Sequence, residues 1–394
     1  MTVPTSLLVP CPAPIAPKSW GAQRWYLPLV LAMAGGTACT DGPTNTEPQP
    51  PRGIVVLDGF IQPGLTLLAD TGTASTRIPF GPPTEFDGGG FTLERDTVLA
   101  TSSRGAGNLL YVASLASGTV RRVQLPANSN PASARLAAGS GGQPTVAVAL
   151  RDSGAVVVLA LGPAGSAPTR VRTLVAGTCP TDMVRFDGAW WIVDSNSSCR
   201  TNYAVQGDVR LIRVPDTGTA RDTMVLTGVR GSGADAQLVN DVLYVGAGGE
   251  ADFSRFPYTL RTPGAVAKVD LRNRRVLVTR PLPAGSYGGS LQRGLDGALY
   301  VSLYQDLATF TNRVVKLRSD DLTLVASGAS PWLPLRSAEG AEVGCGSAVA
   351  DALGRVHCLQ SGTASATSLL VFTPGGAEVR RVAAGQGGVA LALR

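Results

Sequence analysis

The pattern of apolar and polar positions between residues 54 and 394 predicts short β-strands separated by turns. One segment, Gly294–Gly328, shows this pattern most clearly. Its Asp296-Gly297 pair suits the positive-φ positions of a tight hairpin, and Ala298–Leu303 alternates large and small side chains as a strand does. After a polar loop, Arg313–Leu317 repeats the strand pattern and Leu322–Ala326 follows as a fourth strand. Together with the strand before Gly294, the segment predicts a four-stranded antiparallel meander.

The same turn-and-strand pattern recurs along the chain. Turn residues precede six strand-like segments, LLYVAS, AVVVLA, AWWIVD, VLYVGA, ALYVSL and RVHCLQ. We interpret these segments as second strands, most of them followed by a third strand such as Thr119–Leu125 or Asp208–Val214. Their spacing of about 35 to 58 residues straddles the range of propeller blades. No segment shows the apolar period of an amphipathic helix.

The two ends of this region complete one further unit. Gly385–Arg394 has the pattern of a first strand without a following hairpin partner. Gly53–Asp58, Gly64–Leu68 and Ser75–Phe80 have the pattern of second, third and fourth strands without a first. Pairing the N- and C-terminal strands would close a ring and remove exposed sheet edges. We therefore predict an all-β fold, a seven-bladed β-propeller of four-stranded antiparallel blades, with six or eight blades as alternatives.

Three segments resemble the repeats of YVTN/NHL-type propellers, a group with streptogramin lyase-like and gluconolactonase-like relatives. They are Leu109–Pro126, Val242–Ala247 and Ala298–Leu303. The resemblance covers most of Ile54–Arg394 and implies the propeller fold. It implies little about function, because this fold supports enzymes, binding modules and scaffolds alike.

The first 38 residues predict a bacterial export signal. Lys18 and Arg24 precede the apolar run Trp25–Ala34, which is shorter than the roughly 20 residues of a membrane span. The following Gly36–Cys39 resembles a lipobox, which predicts lipidation of Cys39; Gly36 departs from the pattern, so ordinary signal cleavage is the alternative. Residues 39–53 are polar and Pro-rich and predict a tether to the propeller at 54–394. We expect an exported protein at the outer membrane, in the periplasm or on the cell surface, touching the membrane through its lipid only.

Four cysteines follow the tether, which allows three pairings. Cys179 and Cys199 bracket one predicted hairpin, and Cys345 and Cys358 bracket another. Export places them in an oxidising compartment, so we predict one disulfide within each hairpin. A metal site is disfavoured because the sequence has no C-x-x-C motif and a single histidine, His357.

Charge and composition narrow the function classes. The chain carries a formal net charge of +6, but its basic residues are scattered rather than clustered, so we expect no nucleic-acid partner. Charged residues make up only 16% of the chain and hydrophobic residues 44%, which is too apolar for disorder. His357 lies in a strand-like segment, and we interpret it as structural.

Three successive blades carry long loops between the second and third strands, at Asp194–Gln206, Gly246–Gly264 and Leu303–Asn312. These loops hold six of the chain's 8 Tyr and 9 Phe, whereas a uniform distribution would place about two there. Aromatic rings beside polar groups are typical of recognition surfaces; the alternative is that each ring packs its loop onto its own blade. The candidate binding residues are Tyr203, Glu250, Asp252, Phe253, Arg255, Tyr258, Tyr304, Gln305 and Asp306.

We therefore expect a monomeric, non-catalytic binding or scaffold propeller without a cofactor, whose partner is an envelope protein, peptide or glycan. One alternative implied by the resemblance is a lactonase or lyase with a divalent metal in the central channel. The carboxylates and amides available for that metal do not match the family motif position by position; they are Asp194, Asn196, Asn240, Glu250 and Asp306. His357 lacks the motif that a lyase-like base would need. A second alternative is a scaffold for outer-membrane assembly.

Overall fold

The computed structural model describes residues 53–394 apart from 60, 70–74, 104–107, 138–143, 164–165, 217–220, 232, 326–327 and 362–365. The predicted export signal, the lipidation of Cys39 and the tether up to residue 52 lie outside the described residues. Within the described part, the structure contains no helix that is long and apolar enough to span a membrane.

The described chain forms 29 β-strands and one short 3-10 helix, Pro83–Glu85. The first strands are β1 (Ile54–Asp58), β2 (Gly64–Leu68), β3 (Ser75–Pro79), β4 (Phe91–Glu94), β5 (Thr97–Ser102), β6 (Leu109–Ser114) and β7 (Val120–Gln124). They are followed by β8 (Pro131–Ala137), β9 (Thr145–Leu150), β10 (Ala155–Ala160), β11 (Thr169–Val175), β12 (Pro180–Phe186), β13 (Ala189–Asp194), β14 (Arg210–Pro215) and β15 (Asp222–Val225). Next come β16 (Ala234–Val239), β17 (Val242–Ala247), β18 (Glu250–Asp252), β19 (Thr259–Thr262), β20 (Ala265–Asp270), β21 (Arg275–Pro281), β22 (Tyr287–Arg293), β23 (Leu299–Tyr304) and β24 (Asn312–Leu317). The last are β25 (Ser347–Ala350), β26 (Val356–Ser361), β27 (Thr367–Phe372), β28 (Glu378–Ala383) and β29 (Gly388–Leu393).

These strands form the seven blades of a β-propeller. Blades 1 to 3 are β4–β7, β8–β11 and β12–β15; blade 4 is β16, β17, β20 and β21; blade 5 is β22–β24; blade 6 is β25–β28. Blade 7 joins β29 to β1, β2 and β3, with Leu391 opposite Val56. The first strands of successive blades contact one another around a central channel, and β29 contacts β4. The predicted seven-bladed propeller closed by the terminal strands is therefore confirmed.

The hydrophobic core lies between the blades. Seven clusters of buried side chains fill the seven interfaces between neighbouring blades in the described part of the chain. At the interface of blades 7 and 1, the rings of Phe80 and Tyr111 stack with their centroids 4.7 Å apart. Middle strands such as β9 and β13 therefore bury side chains on both faces, and most of the residues that line the channel belong to the first strands of the blades.

Four strand assignments made from the sequence are wrong in detail. The segment LLYVAS is β6, the third strand of blade 1, and AVVVLA is β10, the third strand of blade 2, because an additional strand precedes each of them. The segment predicted as third strand Thr119–Leu125 is accordingly the fourth, β7. In blade 5, Leu322–Ala326 does not form a fourth strand over its described residues; only an isolated bridge links Leu324 to Leu317.

Both predicted disulfides are present. Cys179 and Cys199 have Cα atoms 5.5 Å apart, and Cys345 and Cys358 have Cα atoms 5.4 Å apart. In blade 3 the bond joins the residue before β12 to the loop that follows β13, and in blade 6 it joins the segment before β25 to the middle of β26. Their formation indicates an oxidising compartment.

His357 is a buried residue of β26. Its Nε2 atom lies 3.2 Å from Asp351 Oδ2, and Asp351 also accepts a hydrogen bond from Arg355 Nε at 2.6 Å. The histidine is 2% exposed. This enclosed position agrees with a structural role for the imidazole.

Candidate binding site

Three long connections leave the propeller at the same end of blades 3, 4 and 5. Each joins the second strand of its blade to the third, namely β13 to β14, β17 to β20 and β23 to β24. Because the chain reverses direction at every strand of a meander, all three connections emerge on one face. The connection in blade 4 is itself folded into the hairpin β18–β19.

Six aromatic side chains of blades 4 and 5 contact one another on this face. Neighbouring ring centroids are 5.1 Å apart for Phe253 and Tyr258, 5.3 Å for Phe253 and Tyr287, 5.6 Å for Phe256 and Tyr258, 6.0 Å for Tyr258 and Phe310, and 5.3 Å for Tyr304 and Phe310. The rings of each pair cross at 62° to 88°, the edge-to-face arrangement that the ring quadrupole favours. We call these six residues the aromatic patch.

The aromatic patch is exposed at its three phenylalanines. Phe256 is 73% exposed, Phe253 46% and Phe310 37%. The contact of Tyr258 with Phe310 joins the loops of two blades, so these rings do more than pack each loop onto its own blade. Contiguous exposed apolar surface is a feature of interaction sites.

The acidic residues of the blade 4 loop hold its hairpin together. Asp252 accepts a hydrogen bond from the backbone N–H of Ser254 at 2.9 Å and pairs with Arg261 at 2.6 Å. Glu250 pairs with the same guanidinium at 3.5 Å. The hydrogen bonds from Ser254 and Arg261 hold the pKa of Asp252 well below its usual range. Both carboxylates therefore position the loop that carries Phe253, Phe256 and Tyr258.

The blade 5 loop uses its polar residues in the same way. Asp306 accepts hydrogen bonds from the backbone N–H groups of Ala308 at 2.9 Å and Thr309 at 2.7 Å, and the bond from Thr309 lowers the Asp306 pKa. Gln305 accepts a hydrogen bond from Arg313 Nε at 3.1 Å. These contacts shape the turn that presents Phe310.

Two predicted residues, Tyr203 and Arg255, lie apart from these contacts. The candidate list omitted three members of the aromatic patch, Phe256, Tyr287 and Phe310. Tyr203 makes no ring contact with the other described aromatic residues, and its hydroxyl group instead contacts the side chain of Asn130 in blade 2. Arg255 is exposed at the tip of the β18–β19 hairpin, between the two phenylalanines of that loop. Tyr287 belongs to the aromatic patch but begins a first strand. The connection from β21 to β22 lies on the same face as the long loops. This placement is the signal that could have identified Tyr287.

The central channel contains a polar cavity of about 670 Å³. The first strands of all seven blades contribute to its wall. At its wall, Arg135 of β8 pairs at 2.8 Å with Asp182 of β12 in the neighbouring blade, and Asp182 also accepts a hydrogen bond from the backbone N–H of Ala236 in β16 at 2.9 Å. Tyr304 lines the same cavity, so the channel and the aromatic patch share a residue.

Comparisons with known proteins bear on the fold. No family model matches the sequence, and no curated protein matches it. A protein from Lactobacillus plantarum is 14% identical, with a TM-score of 0.56 over 88% of this chain and 100% of the other. A "putative 6-phosphogluconolactonase" from Bacteroides fragilis is 10% identical, with a TM-score of 0.54 over 89% and 99%. A "hypothetical selenium-binding protein" from Sulfolobus tokodaii is 9% identical, with a TM-score of 0.55 over 88% and 94%.

The similarity is one of fold. At these identities, the propeller framework is common to all four chains, while the activities named for the others do not transfer to this one.

The candidate metal ligands do not converge on one site. Asp194 is buried at the end of β13 and pairs with Arg210 at 2.5 Å, whereas Asn240 lies in the turn between β16 and β17, at the opposite end of the strands. Within the described ranges, no three His, Cys, Asp or Glu side chains are grouped as a metal ion requires. The five candidate ligands named from the sequence therefore do not form one metal site.

Proposed function

We propose that this protein is an exported, non-catalytic binding propeller of the YVTN/NHL type that captures a polypeptide partner through the aromatic patch. The observation that carries the proposal is the contact of six rings from two blades, three of them exposed, on one face of a rigid ring. Aromatic side chains at the centre of an interface supply much of its binding energy. Loops held by a rigid scaffold are where propellers and other folds carry recognition.

The geometry of the patch favours a polypeptide over a glycan. Its most exposed rings belong to phenylalanines, which offer no hydrogen-bonding group to a sugar. The edge-to-face crossing of neighbouring rings leaves clefts between them rather than one flat platform. Clefts of this kind suit the insertion of apolar side chains from a partner.

The cellular setting is part of the same proposal. The two disulfides support an oxidising, exported compartment. We propose that the N-terminal 38 residues direct export, that Cys39 is lipidated, and that residues 39–53 tether the propeller to the outer membrane. A membrane-anchored propeller with one recognition face would hold its partner at the envelope, and a role in outer-membrane assembly would be one form of this function.

A pull-down with matched variants tests the proposal. The purified protein is mixed with envelope extract in parallel with the double variant Phe253→Ser/Phe256→Ser and the control Val171→Ser/Val379→Ser, whose valines are 59% and 57% exposed on outer strands. We expect the wild type and the control to retain the same polypeptide and the patch variant to lose at least nine-tenths of it. Equal capture by the patch variant would reject this surface.

Two treatments separate the remaining alternatives. Digesting the extract with protease before mixing abolishes capture if the partner is a polypeptide, and capture that survives digestion would favour a glycan instead. Dialysis against a chelator leaves the melting temperature unchanged if the propeller has no structural or catalytic divalent metal. A drop of several degrees would favour the metal-dependent lactonase or lyase.

A further inference from the structure

One arginine of the channel wall has no acidic partner. Arg151 follows β9 and lines the cavity, yet its guanidinium forms no ion pair or hydrogen bond with any described residue. Its Nε atom is buried without a hydrogen-bond partner within the described part of the chain. By contrast, Arg135 is paired with Asp182 at 2.8 Å. A partly enclosed cation without a partner is costly, so Arg151 marks a position where a negative group would be stabilised.

The location of Arg151 follows from the register of blade 2. Ser133 of β8 lies opposite Ala149 of β9, and Ala149 packs in the core between blades 2 and 3. Arg151 comes two residues after Ala149, and its backbone N–H continues the ladder by donating to the carbonyl of Asn130 at 3.1 Å. The alternation of a strand therefore directs Arg151 toward blade 3. Burial raises the pKa of Tyr203 in the blade 3 loop, and the positive charge of Arg151 opposes this shift, which places the guanidinium on the same side.

This position lies at one end of the channel. Arg151 belongs to the connection between the second and third strands of blade 2, so it lies on the face that carries the three long loops. The next residue, Asp152, accepts a hydrogen bond from Asn130 Nδ2 at 3.3 Å and is not part of the cavity wall. Arg293, another arginine of the wall, is the last residue of β22 and therefore lies at the opposite end. The two arginines are thus separated by the length of the channel.

Asp235 borders the same region. It precedes Ala236, whose N–H donates to Asp182 at 2.9 Å and whose carbonyl accepts a hydrogen bond from Arg135 at 3.3 Å. Asp235 itself lines the cavity near the start of β16, and its Oδ2 atom accepts a hydrogen bond from the N–H of Leu291 at 3.1 Å. The start of β16 is the long-loop end of the channel, as the start of β8 is.

The charges around Asp235 show how near Arg151 is. Burial is the main cause that raises the pKa of Asp235 to about 6, and the nearby Asp182 acts in the same direction. The Leu291 N–H group and the positive charges of Arg151 and Arg135 act in the opposite direction. The effect of Arg151 is at least as large as that of Arg135, whose guanidinium contacts the residue next to Asp235. Arg151 therefore lies close to Asp235, but the two form no ion pair.

The charges at this end of the channel suit a singly charged anion. Arg135 and Asp182 neutralise each other, which leaves the guanidinium of Arg151 for a ligand. A planar carboxylate matches the fork of a guanidinium through two parallel hydrogen bonds. A doubly charged phosphate would be repelled more strongly by the nearby aspartates. The cavity of about 670 Å³ has room for an organic group, and Val389 at the start of β29 adds apolar surface at the same end.

We propose that the central channel binds the carboxylate group of a small organic acid at Arg151, beside Asp235. Two N–H groups of the guanidinium donate to the two carboxylate oxygens, and the apolar part of the acid extends into the cavity. Protonation of Asp235 removes a competing negative charge, so the acid binds more tightly when Asp235 is neutral. The C-terminus of a polypeptide that enters from the long-loop face presents the same carboxylate chemistry.

Titration of the purified protein with butyrate, followed by NMR at pH 7.0, tests this site. The neutral probe butyramide has nearly the same shape without the charge, and we expect it to bind about tenfold more weakly or worse. Arg151→Gln should weaken butyrate binding by about tenfold or more. Arg293→Gln is the matched control, because it removes the same charge from the opposite end of the same cavity; its affinity should change less than about twofold. Equal binding of the two probes, or equal losses in the two variants, would overturn the proposal.

Asp235→Asn gives an independent test through a gain of affinity. Between pH 6 and pH 8 the wild type ionises Asp235 while butyrate stays ionised, so the affinity should fall by about threefold or more. The variant lacks this charge and should bind butyrate at pH 8 about threefold more tightly than the wild type, with no pH dependence across this range. Unchanged or weaker binding by the variant at pH 8, or a wild-type affinity that does not fall with rising pH, would contradict a carboxylate site beside Asp235.

Further probes identify the source of the carboxylate. N-acetyl-alanyl-alanine ends in a free carboxylate, and its C-terminal amide should bind as weakly as butyramide. Tighter binding of the acid peptide than of butyrate identifies a polypeptide C-terminus as the ligand, whereas equal or weaker binding identifies a small acid. Inorganic phosphate that binds more tightly than butyrate would overturn the assignment of a carboxylate. The Phe253→Ser/Phe256→Ser variant should retain butyrate binding, so failure of the patch and failure of this site are distinguishable.

Discussion

The enclosed carboxylate of Asp235 should make the propeller less stable at neutral pH than in mild acid. Its pKa is raised from 3.8 to about 6, chiefly by burial, so the folded state disfavours the ionised form. The folded protein then binds a proton that the unfolded chain releases. The sign of the effect follows: stability from this group is greatest below the unfolded pKa and is lost as the pH rises through 6.

The magnitude follows from the two pKa values. At pH 7.5, the shift from 3.8 to about 6 destabilises the folded state by about 3 kcal/mol relative to a group that does not titrate. At pH 5.0 the same linkage gives about 1.6 kcal/mol, because much of the Asp235 population is then protonated in the folded protein. The pH-dependent part is therefore about 1.4 kcal/mol between these two conditions.

Asp235→Asn isolates this contribution. The asparagine oxygen can still accept the hydrogen bond from Leu291, and any cost of the substitution that is independent of pH cancels in the comparison. Guanidinium unfolding of both proteins at pH 7.5 and 5.0 and constant ionic strength should show the advantage of the variant shrinking by about 1.4 kcal/mol at the lower pH. A difference between the two proteins that does not change with pH, or that grows in acid, would refute the reasoning. Asp270→Asn is the control, since the side chain of Asn273 lowers the pKa of Asp270 below 3.8; both the folded and the unfolded pKa then lie below 5, and the difference between this variant and the wild type should be nearly the same at pH 7.5 and 5.0.

Two further predictions concern the closed ring, both measured by guanidinium unfolding. Leu391 is a fully buried residue of the closing strand β29, and Leu391→Ala should cost about 2–5 kcal/mol of stability, whereas Val379→Ala on the outer strand β28 should change it by no more than about 0.5 kcal/mol. Similar effects of the two substitutions would show that ring closure adds no buried core at this position. Replacing Cys345 and Cys358 by serine should cost about 3 kcal/mol, because the bond closes a loop with a sequence separation of 13; a loss below 1 kcal/mol would mean that the hairpin alone restrains these residues.

The framework was predictable from the sequence because its signals are local or lie at the chain ends. Turn residues followed by alternating side chains mark individual hairpins, and a lone strand pattern at Gly385–Arg394 matches the missing first strand before Ile54. The disulfides follow from cysteines that flank single hairpins. The order of strands within blades 1 and 2 was not predictable in the same way, since β4 (Phe91–Glu94) and β8 (Pro131–Ala137) contain few large alternating side chains and precede the more regular segments.

The binding elements depend on contacts between distant parts of the chain. The three long loops stand out by their length and aromatic content, but the sequence does not show that Tyr203 contacts Asn130 in another blade. It likewise does not show that Glu250 and Asp252 share Arg261 within the hairpin. From the sequence alone, these polar residues are predicted to contact a ligand. In the folded chain, their hydrogen bonds instead shape the loops that carry them.

The environment of Asp235 in the channel is hidden in the sequence for a related reason. In β16, Ala234 and Ala236 enter the core between blades 3 and 4, while Asp235 and Gln237 alternate with them and face the channel. Such alternation ordinarily predicts a solvent-exposed polar face. In a closed ring that face is enclosed by six other blades, so the same pattern instead produces a polar cavity. The ring closure that removes the sheet edges thus also places Asp235 in a polar cavity. Tyr304 belongs to both the cavity wall and the aromatic patch, so it links the channel physically to the recognition face.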